Sequence, residues 1–119
     1  MRILITMMIA LLLPVSAQAD SWDAADIQRE ATYQVLAAVD WGQTRDIANH
    51  PGYHEQNAIL GLHPSTSKIN TYFATTALLH AGIAYMLPPK WRTPFEYITI
   101  GIEVGAVANN ASIGLRVKF

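Results

Sequence analysis

The sequence predicts an all-α protein: a cleaved signal peptide followed by a small three-helix bundle, two of whose helices form an apolar hairpin. Three observations predict it. Apolar residues recur at helical spacing after residue 23. Two apolar stretches, 69–87 and 97–115, are joined by the tight turn Pro88-Pro89-Lys90-Trp91-Arg92. Turn-forming residues cluster between the first helix and the hairpin.

The N-terminus has the layout of an export signal. Arg2 is a short positive region, 3–15 is an apolar run, and Ala17-Gln18-Ala19 is a small-x-small cleavage site followed by Asp20. Residues 1–19 therefore read as signal peptide and 20–119 as one small helical domain. Export implies the periplasm or the inner membrane as destination. The chain has no Cys, so no disulfide can stabilise the domain.

The first helix is expected over 23–47. Acidic residues in its first turn suit the positive end of the helix dipole. Ala24, Ile27, Ala31, Val35 and Ala38 form an apolar stripe, while Asp26, Glu30, Tyr33, Asp40 and Thr44 follow another face. A turn-rich connection from His50-Pro51-Gly52 to Ser67 comes next. The second helix is expected over 68–87, where Pro88-Pro89 stops it. For the third, Thr93 reads as the N-cap, Pro94 as the first helical residue and Glu96 as the partner in a capping box. The ending Ser-Ile-Gly-Leu-Arg-Val-Lys-Phe alternates apolar and polar residues, so 112–119 reads equally as helix or strand.

The hairpin segments match a bilayer in length. Segment 97–115 has seven Ile, Leu or Val residues, together favouring insertion by about 2–4 kcal/mol. Glu103 opposes this by about 3 kcal/mol, and Asn109 and Asn110 add to the cost. Trp91 and Tyr97 beside Lys90 and Arg92 resemble an interfacial belt. The expectation is a membrane-associated hairpin, with a core hairpin of a soluble periplasmic bundle as the alternative.

The polar groups in these apolar segments are the lead on function. Glu96, Thr99, Glu103 and Asn110 share one stripe of the third helix. Thr76 and His80 share a face of the second, and Asp40 and Thr44 a face of the first. In a bundle these faces should point inward. The expected buried cluster is Asp40, Thr44, His80, Glu103, Asn109 and Asn110. It serves either as polar glue, with His80 paired to Glu103, or as a metal or proton site. Loop residues His50, His54 and His63 are weak metal candidates, since Pro51 and Gly52 prevent two His from sharing one helical turn. No metal or other cofactor is expected.

Catalytic signatures are sparse. There is no Cys nucleophile, no Gly-x-Ser-x-Gly elbow and no phosphate loop. Glu55 with Glu103, or Asp40 with Glu55, is a conceivable carboxyl pair for hydrolysis. Once Arg2 is removed the chain is mildly acidic, which argues against nucleic acid as partner.

Asp40-Trp-Gly-Gln-Thr44, followed by Tyr53-His-Glu55-Gln-Asn57-Ala-Ile-Leu-Gly61-Leu-His-Pro64, resembles a pattern in small membrane proteins of bacteria and their phages or prophages. Those proteins carry Asp and Thr on one helix, then Glu-x-Asn-Pro before the next apolar helix. Ala58 stands where that Pro would be. The resemblance implies that Asp40, Thr44, Glu55 and Asn57 form one unit. It implies a small helical envelope protein with no assigned activity, perturbing a host membrane protein if phage-encoded. The expected function is thus non-catalytic accessory work at the envelope, with a membrane, a membrane-protein partner or a second copy of itself. The alternative is a soluble periplasmic binding module or a small hydrolase using Glu55 or Glu103.

Overall fold

The computed structural model describes residues 21–119, which form three helices and no strand. The expected signal peptide lies outside the described residues.

Helix α1, Ala24–Ala48, begins at a reciprocal cap. Asp23 Oδ1 accepts the Asp26 N–H at 2.7 Å, and Asp26 Oδ2 accepts the Asp23 N–H at 3.1 Å. Two N–H groups that the first turn leaves orphaned are thereby satisfied. Helix α2, Thr66–Met86, is capped by the Ser65 hydroxyl, which accepts the Lys68 N–H at 3.1 Å. Leu87 turns to extended backbone before the two prolines, as steric conflict with a proline ring requires.

Helix α3, Pro89–Ser112, starts five residues earlier than the Thr93 cap predicts. Pro89 takes the first helical position, where a missing N–H costs nothing. Pro94 therefore sits inside the helix. The expected capping box does not form because Thr93 and Glu96 are drawn to α1 instead: Arg29 donates to Thr93 Oγ1 at 3.3 Å and to Glu96 Oε2 at 2.6 Å.

Cross-helix contacts set the topology. Arg29 meets Glu96, and Asn110 meets Asp40, so α1 and α3 run parallel. His80 meets Glu30, and Asn70 meets Trp41 and Arg45, so α2 runs against α1. The loop between α1 and α2 drops Leu60 onto Ile69 and Phe73, with Trp41 and Tyr72 against them. Residues 113–119 form no strand. They run back along the end of α1, where the Lys118 N–H donates to the Gly42 carbonyl at 3.0 Å and the Arg116 N–H to Asp46 Oδ2 at 2.9 Å.

The bundle is polar inside. Asp26, Glu30, Gln43, Thr44, Asp46, His80, Arg92 and Glu96 are buried. The apolar stripe of α1 faces out, with Ile27 57% and Val35 63% exposed. Leu78 on α2 and Ile102 on α3 are 77% and 65% exposed. No helix among the described residues is long and apolar enough to cross a membrane, which corrects the expectation of transmembrane helices in the hairpin. The physical reason is the interior itself: His80, Glu96, Glu103 and several Thr and Asn residues occupy the faces that a spanning helix would fill with apolar groups.

Candidate functional site

On α1, Asp40, Thr44 and Ile47 lie at steps of four and three, so one face carries all of them. The matching face of α3 presents Glu103, Ala106 and Asn110 at steps of three and four. The two meet at the Asp40 carboxylate. Asp40 Oδ1 accepts from Asn110 Nδ2 at 2.7 Å and from the Thr44 hydroxyl at 3.3 Å. Asn110 Nδ2 also reaches Gln43 Oε1 at 3.2 Å, and Gln43 Nε2 donates to the Val107 carbonyl at 3.3 Å.

Glu103 lies within hydrogen-bond reach of Asp40. Two carboxyl groups facing one another each disfavour charge on the other. Burial, then the Asp40 charge and the hydrogen bond to Asp40, push the Glu103 pKa up to about 7. Burial also raises Asp40, against the hydrogen bonds from Asn110, Thr44 and Glu103. Glu103 Oε2 is buried and receives no donor from the rest of the described residues.

This pair lines a cavity of about 340 Å³. Its α2 wall is Tyr72 and Phe73; its loop wall holds His54, Glu55, Asn57 and Leu60; Asn109 and Ile113 close the α3 side. The loop wall is well braced. Glu55 Oε1 accepts the Asn57 N–H at 2.9 Å, the Glu55 N–H donates to the Leu62 carbonyl at 3.0 Å, and Asn57 Nδ2 donates to the Tyr72 hydroxyl at 2.8 Å. Glu55 is raised, first by burial and then by the negative charge of Asp40.

Of the residues expected to cluster, Asp40, Thr44, Glu103, Asn109 and Asn110 line this cavity, and Glu55 and Asn57 join them. His80 does not. It lies further toward the start of α1, with Nδ1 2.9 Å from Glu30 Oε2 and Nε2 2.7 Å from Thr99 Oγ1. Thr99 Oγ1 also lies 2.9 and 3.0 Å from the Phe95 and Glu96 carbonyls. The His80 ring is stacked between Tyr33, centroids 3.4 Å apart, and Phe95, 4.7 Å. The expected His80–Glu103 pair is thus replaced by His80–Glu30, because His80 faces α1 nearly three turns before Asp40. Burial opposes charge on Glu30, but the hydrogen bonds from His80 and Gln34 hold its pKa below the usual value. Tyr33 lies between the two polar groups. Burial, then Glu103 and Glu30, push its pKa up to about 12.

The loop histidines are dispersed. His50 Nδ1 is 3.1 Å from Asp46 Oδ1, while the His54 and His63 rings meet edge to face at 4.8 Å. The described residues contain no group of three or more His, Asp or Glu arranged to hold a metal ion.

A second polar group corrects the sequence reading, which set Arg92 with Lys90 in an interfacial belt. Arg92 is fully buried, with Nη1 2.9 Å from Asp26 Oδ2 and Nε donating to the Ala84 carbonyl at 2.8 Å. Nη2 donates to the Leu87 carbonyl at 2.9 Å. Arg92 thus serves the unsatisfied carbonyls at the end of α2. Burial opposes charge on Asp26, yet the Asp23 N–H, Arg92 and Arg29 hold it low. The available signal was an Arg just past a helix stopped by Pro-Pro; its partner 66 residues away left no local trace.

Comparison with protein-family models, with curated proteins and with solved structures finds no match to the chain.

Proposed function

We propose that the protein is an exported, non-catalytic accessory protein of the cell envelope that seats an apolar outer face on a membrane. One observation carries this reading: large apolar side chains of the hairpin lie outside while charged side chains are buried within. Leu78, Leu79 and Ile83 of α2, and Ile98, Ile102 and Val104 of α3, are all exposed while Asp26, Glu30, Asp46, Glu96 and His80 are buried. Large contiguous apolar surface signals an interaction site. Exposed Trp91 and Tyr97, with Lys90 at 5.9 Å from the Trp91 ring, supply the aromatic and cationic anchors of an interfacial surface. A membrane protein of the host envelope is the partner that the phage-like sequence pattern implies.

Flotation with vesicles of mixed zwitterionic and anionic lipid tests this. The full chain should float, and Leu78→Glu with Ile102→Glu should leave it at the bottom of the gradient while its helix content stays unchanged. Wild-type protein that remains at the bottom would sink the reading.

A second reading, a periplasmic binding module or small hydrolase using Glu55 or Glu103, draws on the cavity that both residues line. Hydrolysis of glycosides by Asp40 with Glu103 is disfavoured, because carboxyls in mutual hydrogen-bond reach are closer than the roughly 5 Å that a retaining pair needs.

A further inference from the structure

The cavity beside Asp40 and Glu103 has a chemistry that docking on a membrane does not use. Its walls carry three carboxyl groups, on α1, α3 and the loop, and no Lys or Arg. Buried ionic groups ordinarily find a partner of opposite charge. The Arg92–Asp26 and Arg29–Glu96 pairs show this same bundle doing so elsewhere. At the cavity the described residues offer instead the His54 imidazole and a few amide or hydroxyl donors.

The cavity is also more than an acidic cluster. Apolar Ile47, Leu60 and Ile102 lie among the polar lining residues, and the Phe73 ring adds to them. Glu103 Oε2 is enclosed without a donor. The wall bearing Glu55 is braced through Leu62 and, by way of Asn57, through Tyr72, so the site is formed before any ligand arrives. About 340 Å³ lies within the size range of small-molecule sites, at its lower end.

The geometry points to a binding site for a small aliphatic diamine, one ammonium at Asp40 and Glu103, the other at Glu55, with the methylene chain along Ile47, Leu60 and Ile102. Each ammonium has three donors and no acceptor, which suits carboxylates and the side-chain oxygens of Asn57 and Asn109. A divalent metal fits less well, since no group of three or more His, Asp or Glu among the described residues is arranged to hold one. Glu103, whose carboxyl burial pushes up to about 7, must give up its proton to hold an ammonium, with Asp40, Tyr33, Tyr72, His54 and Glu55 facing it. Proton and ligand therefore compete, and affinity rises with pH.

Titration calorimetry of the full chain with cadaverine, and with pentanediol as its uncharged counterpart, tests the site. Cadaverine should bind, more tightly at about pH 8 than at about pH 6, and pentanediol should not. Glu103→Gln and Glu55→Gln should each weaken binding about tenfold or more, the loss of one charge-assisted contact. The Glu55 variant lies in the loop, away from helix packing, and circular dichroism should show native helix content. No heat from cadaverine on folded wild-type protein would overturn the proposal. So would equal binding of pentanediol, or unchanged affinity in both variants.

Discussion

Arg92 Nη1 sits 2.9 Å from Asp26 Oδ2, and the same guanidinium holds the Ala84 and Leu87 carbonyls. One side chain therefore fastens the start of α1, the end of α2 and the start of α3. Asp26→Ala leaves that buried cation short of its carboxylate and should cost about 3 kcal/mol. Replacing both, Asp26→Ala with Arg92→Met, should cost less than the sum of Asp26→Ala and Arg92→Met alone, because neither partner is left facing a missing one. Urea unfolding of the three variants measures the coupling. Simple additivity would show that the pair does not act as a unit.

Glu103 gives a pH dependence of definite sign. Its pKa is raised from 4.5 to about 7, so the folded protein binds a proton more tightly than the unfolded chain. That contribution is complete below about pH 4.5 and is lost as pH rises through about 7. The groups facing it are Asp40 and Tyr33 on α1, Tyr72 on α2, and His54 and Glu55 in the loop. Asp40 and Glu55 are also raised and slope the same way. Asp26 and Glu30 are lowered, and their contribution is lost only in more acidic solution. Glu103→Gln keeps a donor for Asp40 without a titrating proton. It should flatten the fall in Tm between about pH 5 and pH 7 and stabilise the protein at neutral pH, by an amount on the order of 1 kcal/mol after allowance for solvent screening. An unchanged slope would remove Glu103 as its source.

Gly42 is where the C-terminal segment touches α1 most closely. A Cβ there would stand 2.4 Å from Val117 Cγ1 and 2.9 Å from Phe119 Cε2. In a chain ending at Arg116, Gly42→Ala should stabilise the helix by about 0.5–1 kcal/mol through backbone entropy alone. In the full chain the same change should cancel that gain by displacing the segment, and limited proteolysis should then cut after Arg116 or Lys118. Equal stabilisation in both backgrounds would mean that the contact carries no weight.

The helices were legible where local chemistry decides them. The acidic first turn marked the start of α1, and Pro88-Pro89 marked the end of α2. Thr93-Pro94 misled because it offers all the local signs of a helix start, yet Arg29 of α1 claims both Thr93 and Glu96. The inward direction of the polar faces followed from desolvation, and Asp40, Glu103 and Asn110 share a cavity in keeping with it. Helical spacing shows which residues share a face but not the height at which two helices meet. His80 was for that reason set against Glu103 when it lies against Glu30. Residues 112–119 were ambiguous because their backbone partners, Gly42 and Asp46, come from a distant helix.

The inward face of α1 has consequences for how the chain is made. Its carboxylates wait for Arg92, Asn110 and the Arg116 backbone, all of them synthesised long afterward. A nascent α1 thus has the local Arg29–Asp26 pair but not the later partners of its other acids. A chain halted after α2 would carry Asp26, Asp40 and Asp46 without Arg92, Asn110 and the Arg116 backbone that meet them, so the polar interior is completed only with the last third of the sequence.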